Sequence, residues 1–234
     1  FRLRHVNGTW RWIEAIATNL LDDPSVQAIV INYRDITERK EAEIELQKKN
    51  DDLALLNAIN AAVIRDENLT SIMDLLNEEL KRIFSCEGST IYMLDPQEQF
   101  LTMQQYKLPP AITKKIEGLI GGTIPLVRIP VREGGYFQKI LRSKRGVITS
   151  DPHEIQKWME EFTDSTFLGS AARSVIRKLI PQIYKVLNIQ STITVPLVSN
   201  ERTIGLMDLS SPGLFAENDL ERIEGIARQL TVAI

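Results

Sequence analysis

"LNIQSTITVPLVSNERTIGLMDLSSP", residues 187–212, holds two strands, "STITVPLVS" and "RTIGLMDLSS", on either side of Asn200-Glu201, a short hairpin connection. A helix follows from about Glu217, where Leu220, Ile223, Ala227, Leu230 and Ile234 step by three and four. It ends on an apolar residue, so the stripe is expected to continue in a longer protein. Upstream lies a long middle region, 107–190, with scattered Pro and Gly. Within it Val175, Ile176, Leu179, Ile180, Ile183, Val186 and Leu187 trace a helical face. Pro181 interrupts that face and is expected to kink or break it, because its ring removes a donor and crowds the preceding turn. Before the middle region, "STIYMLD" and "QFLTMQQYK" read as strands joined through Asp95-Pro96. They follow a helix with Leu69, Ile72, Met73, Leu76, Leu80, Ile83 and Phe84 on one face and Asn68 as a possible cap.

Further toward the start, "NYRDITERKEAEIEL" (32–46) begins as a strand and ends as a helix with neither Gly nor Pro between. From Ile36 to about Arg65, Ala42, Leu46, Lys49, Leu53, Leu56, Asn60 and Val63 alternate steps of four and three. This is a heptad seam with polar Lys49 and Asn60 at two of its core positions. One reading is a dimer seam between two copies, carried by Leu46, Leu53, Leu56 and Asn60. The other is one amphipathic helix packed on its own domain. A rod of roughly 28 residues would span about 40 Å. Ahead of it, "FRLRHV", "TWRWIEAIATNLL" and "VQAIVINYR" read as three antiparallel strands. Asn7-Gly8 is a strong hairpin signal, and Asp22, Asp23 and Pro24 mark the second turn. Such a piece falls below the roughly 40 residues a core needs without staples, so it is expected to belong to a larger domain.

Composition fits a folded chain. Of 234 residues 43% are hydrophobic and 25% charged, enough for a packed core. A net charge of -3 gives no general pull toward nucleic acid or acidic membranes. No apolar run approaches the roughly 20 residues that span a bilayer, and no signal-peptide pattern is present. Cys86 is the single cysteine, so an internal disulfide is impossible and a reducing cytoplasm is compatible. The opening at Phe1, without Met, reads as a piece of a longer protein that could be anchored to a membrane elsewhere.

Two resemblances organise these elements. "FRLRHVNGTWRWIEAIATNLLDDPSVQAIVINYRDITERKEAE" resembles the C-terminal half of a PAS domain, above all in "RDITERK". That resemblance implies that Asp35 and Thr37 fix the junction between sheet and exit helix, Asp35 through a charge-assisted contact with a nearby Arg. Simple capping of the helix by either residue is the other reading. The cofactor-binding helices of PAS domains precede this half, so no haem or flavin is implied. Residues 52–234 resemble a GAF domain, in "STIYMLD", "VITSDP" and best in the 187–212 hairpin followed by "FAENDLERIEGIARQL". The expected fold is therefore α+β: a six-stranded GAF-type antiparallel sheet flanked by helices, preceded by a long helix and a partial PAS antiparallel sheet. The expected divisions are 1–37, 38–65 as a signalling helix sharing its end with the first GAF helix, and 66–234.

Specific chemistry is sparse. His153-Glu154 follows Asp151-Pro152 and lacks the Arg-Thr-Pro of a kinase phosphoacceptor. "REGGYF" lacks a cyclase's acidic pair and reads as a turn. Gly121-Gly122 has no phosphate-loop context. Two His and one Cys do not make a four-ligand zinc site. Bilin-binding GAF relatives use a Cys often followed by His, whereas Cys86 precedes Glu87 and reads as a buried core thiol. The cysteines of GAF-like methionine sulfoxide reductases and the Asn-Lys-Phe-Asp-Glu signature of cyclic-nucleotide GAF domains are also missing. The residues support no bilin, haem or metal, and the cofactor stays unknown. Tyr106, Arg128, His153, Trp158, Phe162 and Arg173 are the candidate pocket residues, suited to a small organic or anionic ligand. Alternatively Trp158 and Phe162, four apart, pack as core. The expected function is a non-catalytic sensory fragment of a signal-transduction protein, a two-component sensor histidine kinase, working as a cytoplasmic homodimer. A ligand-free dimerisation module, or the sensing part of a transcription activator or cyclic-dinucleotide enzyme, are the alternatives.

Overall fold

The computed structural model describes residues 1–67, 69–166 and 168–233. Asn68, the possible cap, and Ile234, the last position of the final stripe, lie outside them. Contacts divide the chain into two units, 1–53 and 54–234.

In the first unit β1 (Arg2–Arg4), β2 (Trp10–Leu20) and β3 (Ala28–Asp35) form an antiparallel sheet in that order. Gly8, at φ +87°, makes the first turn, and the Asn7 carboxamide oxygen accepts from the Thr9 amide at 3.0 Å. Helix α1 (Thr37–Ile64) starts directly after β3. Asp35 Oδ1 accepts from the Thr37 amide at 2.9 Å, and Thr37 Oγ1 accepts from the Trp12 amide at 2.9 Å. Asp35 thus takes up a backbone donor left open at the helix start, and Thr37 pins that start to β2. Arg11 reaches the other Asp35 oxygen at 3.6 Å. The Thr37 hydrogen bonds, more than Arg11, hold the Asp35 carboxyl below its usual range.

The second unit continues α2 (Leu69–Phe84), β4 (Gly88–Leu94), β5 (Phe100–Lys107), α3 (Pro110–Ile120), β6 (Arg128–Pro130) and α4 (Tyr136–Ser143). It is completed by β7 (Val147–Thr149), α5 (Pro152–Thr163), α6 (Ser170–Leu187), β8 (Ser191–Ser199), β9 (Arg202–Ser211) and α7 (Glu217–Ala233). Asn200 and Glu201, at φ 47° and 63°, form the two-residue connection between β8 and β9, as the twist of a tight hairpin requires. The six strands pair antiparallel in the order β6-β5-β4-β9-β8-β7.

Side chains alternate across a strand, so a central strand must satisfy two helix layers at once. One face of the sheet presents Ile91, Ile193, Val195, Leu197, Met207 and Leu209 to the apolar sides of α2 and α7 and to Leu55, Ile59 and Ala62 of α1. The other presents Tyr92, Leu101, Met103 and Leu206 to the middle-region helices α3 to α6. A bulge in β5 sets Gln105 opposite Ile91 but Met103 opposite Tyr92. The extra residue, Gln104, brings Met103 and Tyr106 to the same face although they are three apart. At Gly205 an added Cβ would lie 2.1 Å from the Tyr92 carbonyl oxygen, so only glycine lets β9 approach β4 there.

The break expected at Pro181 does not occur. Helix α6 runs through Pro181 without interruption. Pro181 and Arg177, whose carbonyl loses its partner, are on the exposed side, while Ile180 and Ile183 anchor the opposite side in the core. Leu56, assigned to the seam, packs partly against the core beside Leu55 and Ile59. Leu46 and Leu53 remain 60% and 57% exposed, and Asn60 is exposed beside them. Among the described residues no helix is long and apolar enough to cross a membrane.

Candidate functional site

The same alternation that fills the core leaves a gap on the second face. A cavity of about 180 Å³ lies between the sheet and helices α3, α5 and α6. This exceeds the roughly 150 Å³ of an engineered apolar cavity that holds benzene. Ile116 and Ile120 come from α3, Trp158, Met159 and Phe162 from α5, and Ile176, Ile180, Ile183 and Leu187 from α6. The i, i+4, i+7, i+11 spacing of the α6 residues puts them on one stripe facing the sheet. The sheet contributes Met103 and Tyr106 from β5, Gly88 and Thr90 from β4, and Asp208 and Ser210 from β9.

Asp208 is the one charged side chain of the wall among the described residues. It is 2% exposed, at the centre of the sheet, between register partners Thr90 on β4 and Thr194 on β8. Its Oδ2 accepts from Trp158 Nε1 at 3.3 Å, while Oδ1 accepts nothing. The Tyr92 phenol sits next to the carboxyl without the alignment of a hydrogen bond. The Tyr136 hydroxyl is within 3.0 Å of Thr194 Oγ1 and 3.2 Å of Thr149 Oγ1. With no cation beside it among the described residues, burial pushes the Asp208 carboxyl up to about 7, against the opposing pull of the nearby Thr194 and Tyr92 hydroxyls and of the Trp158 indole donor. Burial, and secondarily Asp208, also raises both phenols above their usual value. A half-buried acid, Glu161, lies outside the wall and accepts from the Tyr136 amide, capping α4.

Of the six candidate pocket residues the structure gathers Tyr106, Trp158 and Phe162 and disperses the rest. Trp158 and Phe162 also pack as core, edge to face at 5.1 Å. Val127 and Ile129 point inward, so Arg128 between them turns outward. It stacks over Phe100 at 3.9 Å and approaches Asp95 at 3.7 Å. His153 is exposed in the first turn of α5, its amide bound to Asp151. Arg173 is exposed in the first turn of α6, where its Nε donates to the Leu168 carbonyl at 3.0 Å. With both arginines outside, the wall presents no Lys, Arg or His to an anion among the described residues. Cys86 belongs to the core on the opposite sheet face, its thiol pushed up to about 12 by burial. Asp208 was missed, although one acid inside the apolar strand "TIGLMDLSS" is itself a signal, because Asp is almost never fully buried.

Residues 68–234 match the profile of the GAF domain family. Comparison with curated proteins gives no match. Among solved structures, the GAF domain of an Acinetobacter phosphoenolpyruvate-protein phosphotransferase is similar at 15% identity and a TM-score of 0.50, covering 78% of this chain and 91% of that one. The A. aeolicus nlh2 GAF domain in an inactive state is similar at 12% identity and a TM-score of 0.51, covering 80% and 96%. A phycoerythrobilin-bound GAF domain from a cyanobacterial phytochrome is similar at 13% identity and a TM-score of 0.53, covering 79% and 95%. At these identities the likeness shows the fold.

The buried acid has a consequence for stability. The folded-state value of about 7 is above the ordinary value of 3.8. The contribution of Asp208 is therefore full below about pH 3.8 and is lost as pH rises to about 7. The expected loss is on the order of 4 kcal/mol. Urea denaturation of wild type and Asp208→Asn across pH 4 to 8 is expected to show this extra decline in the wild type alone. Parallel curves would remove the uncompensated acid from the account.

Proposed function

The chain belongs to the GAF domain family, and on that premise we propose that the cavity is its ligand site. GAF domains are small-molecule-binding regulatory modules of signalling proteins, and the reading makes this one a sensor without catalysis of its own. The observation that carries it is the apolar cavity between the sheet and α3, α5 and α6. Its size, close to that of a cavity that holds benzene, and its few polar groups suit a small organic molecule. A thioether-bound bilin, such as a GAF relative could carry, is not part of the proposal, because Cys86 is on the far sheet face. Native mass spectrometry of the purified chain is expected to find a small-molecule adduct that Ile180→Trp, by filling the cavity, removes. Adduct-free spectra from several expression hosts contradict the reading.

The proposal extends to the rest of the chain. Residues 1–37 are read as the C-terminal part of a PAS domain, supported by a three-stranded sheet that enters α1 through Asp35 and Thr37. Helix α1 is read as a signalling helix that pairs with a second copy and relays a change in packing. Support comes from the exposed apolar stripe through Leu46, Leu53 and Val63, with Asn60 on the same seam. A two-component sensor histidine kinase is the kind of cytoplasmic signalling protein to which this order of parts is assigned. Phosphotransfer or cyclase turnover by the chain alone would contradict the sensory role. Replacing Leu46 and Leu53 together with Asp spares the core residues Leu55 and Ile59 and removes roughly 1.5 to 3 kcal/mol per leucine from a helix pair. Sedimentation is expected to give a dimer for the wild type and half that mass for the variant. Equal masses would place the contact elsewhere.

A further inference from the structure

Within the ligand-site reading just proposed, the wall of the cavity also selects a chemical class. The wall is mostly apolar; Tyr106, Trp158 and Thr163 add single polar groups, and along β4 and β9 Thr90, Asp208 and Ser210 stand together. Thr90 is the register partner of Asp208, and Ser210 is two residues along on the same face of β9. Gly88 leaves room for this group, since an added Cβ would lie 2.6 Å from Ser210 Oγ. Asp208 Oδ1 is buried and accepts no hydrogen bond. We propose that the cavity binds a compact apolar amine, whose ammonium group donates to the Asp208 carboxylate and to the hydroxyls of Thr90 and Ser210.

The choice among ligand classes follows from what each would leave unsatisfied. A carboxylate or phosphate would sit against Asp208 in a low-dielectric site with no Lys, Arg or His in the wall among the described residues. A purely apolar molecule would leave Oδ1 without a donor, at the usual cost of a buried unpaired acceptor. An ammonium supplies both the absent counter-charge and the absent donor, and its remaining N–H groups find hydroxyl acceptors. The isoleucines of α3 and α6 cover its hydrocarbon part.

The binding is linked to pH. Groups facing Asp208 are Tyr92 from β4, Thr194 from β8, Trp158 from α5 and Tyr136 from α4. Both phenols are held neutral by burial, so Asp208, raised to about 7, is the group that ionises near neutrality. An aliphatic amine stays charged over this range, and its affinity is expected to follow the ionised fraction of Asp208. That fraction grows about tenfold between pH 6 and pH 8.

Calorimetric titration of the full 234-residue chain with 2-phenylethylamine, 2-phenylethanol and phenylacetate tests this, because the three share a ring and differ in charge. The expected result at pH 8 is an amine that binds at least about tenfold tighter than the carboxylate, loses about tenfold by pH 6, and loses about tenfold in Asp208→Asn. The alcohol is expected to change less than about threefold in either comparison. The wild-type pH profile needs no variant and stands if Asp208→Asn fails to fold. An amine that binds no better than the alcohol, or is indifferent to both pH and Asp208→Asn, overturns the proposal. In that case alcohol binding abolished by Ile180→Trp would keep the cavity as a ligand site. Failure of all three probes to bind overturns both.

Discussion

Strand β9 is covered on both faces, and each of its side chains must be accommodated by one helix layer or the other. Met207 and Leu209 meet this constraint in the layer of α2 and α7, and Leu206 meets it opposite. Asp208 does not. Its neighbours in register are threonines, its hydrogen-bond partner is an indole, and no cation lies within the wall among the described residues. A charge in that position is costly unless something pairs with it. The gap beside it and the acid itself are therefore two parts of one arrangement, in which full packing is withheld where a polar group awaits a partner. Sites built this way discriminate strongly, because a ligand lacking the right donor leaves the protein group unsatisfied.

The wall owes its shape to local irregularities that a regular sheet would not supply. Without the bulge at Gln104, Tyr106 would fall on the opposite face from Met103. Without Gly205, β9 could not lie close enough to β4 to carry Asp208 beside Tyr92. Helix α6 completes the roof, and the absence of a break at Pro181 matters because Ile176, Ile180, Ile183 and Leu187 form one stripe only on a continuous helix.

The hairpin and its following helix were legible because strands with a two-residue turn and a three-four apolar stripe have few other folds to enter. The α2 stripe and the Asn7-Gly8 turn were legible for the same reason. Pro181 misled because propensity rules cannot see that a freed carbonyl faces water. The pocket residues divided along the same line. Trp158 and Phe162 sit on the apolar stripe of α5, where periodicity points inward, whereas Arg128, His153 and Arg173 were chosen for their chemistry without regard to the face they occupy. Asp208 was hidden by the reverse error: a polar residue in a buried strand was read as part of the strand. In α1 the two seams overlap, since Leu55, Ile59 and Ala62 serve the core while Leu46 and Leu53 stay exposed, and Leu56 sits between them. Heptad spacing alone does not separate a helix face committed to its own domain from one left for a partner.

The account turns on a carboxyl that burial keeps from ionising easily at the floor of an apolar cavity. Carbon-13 NMR titration of the aspartate carboxyls in the unliganded chain, with Asp208 assigned by its disappearance in Asp208→Asn, observes that group directly. An inflection near pH 7 is the predicted result. An inflection close to the ordinary value of 3.8 would mean that Asp208 already has a counter-charge or open access to water, and would contradict the reading of the cavity.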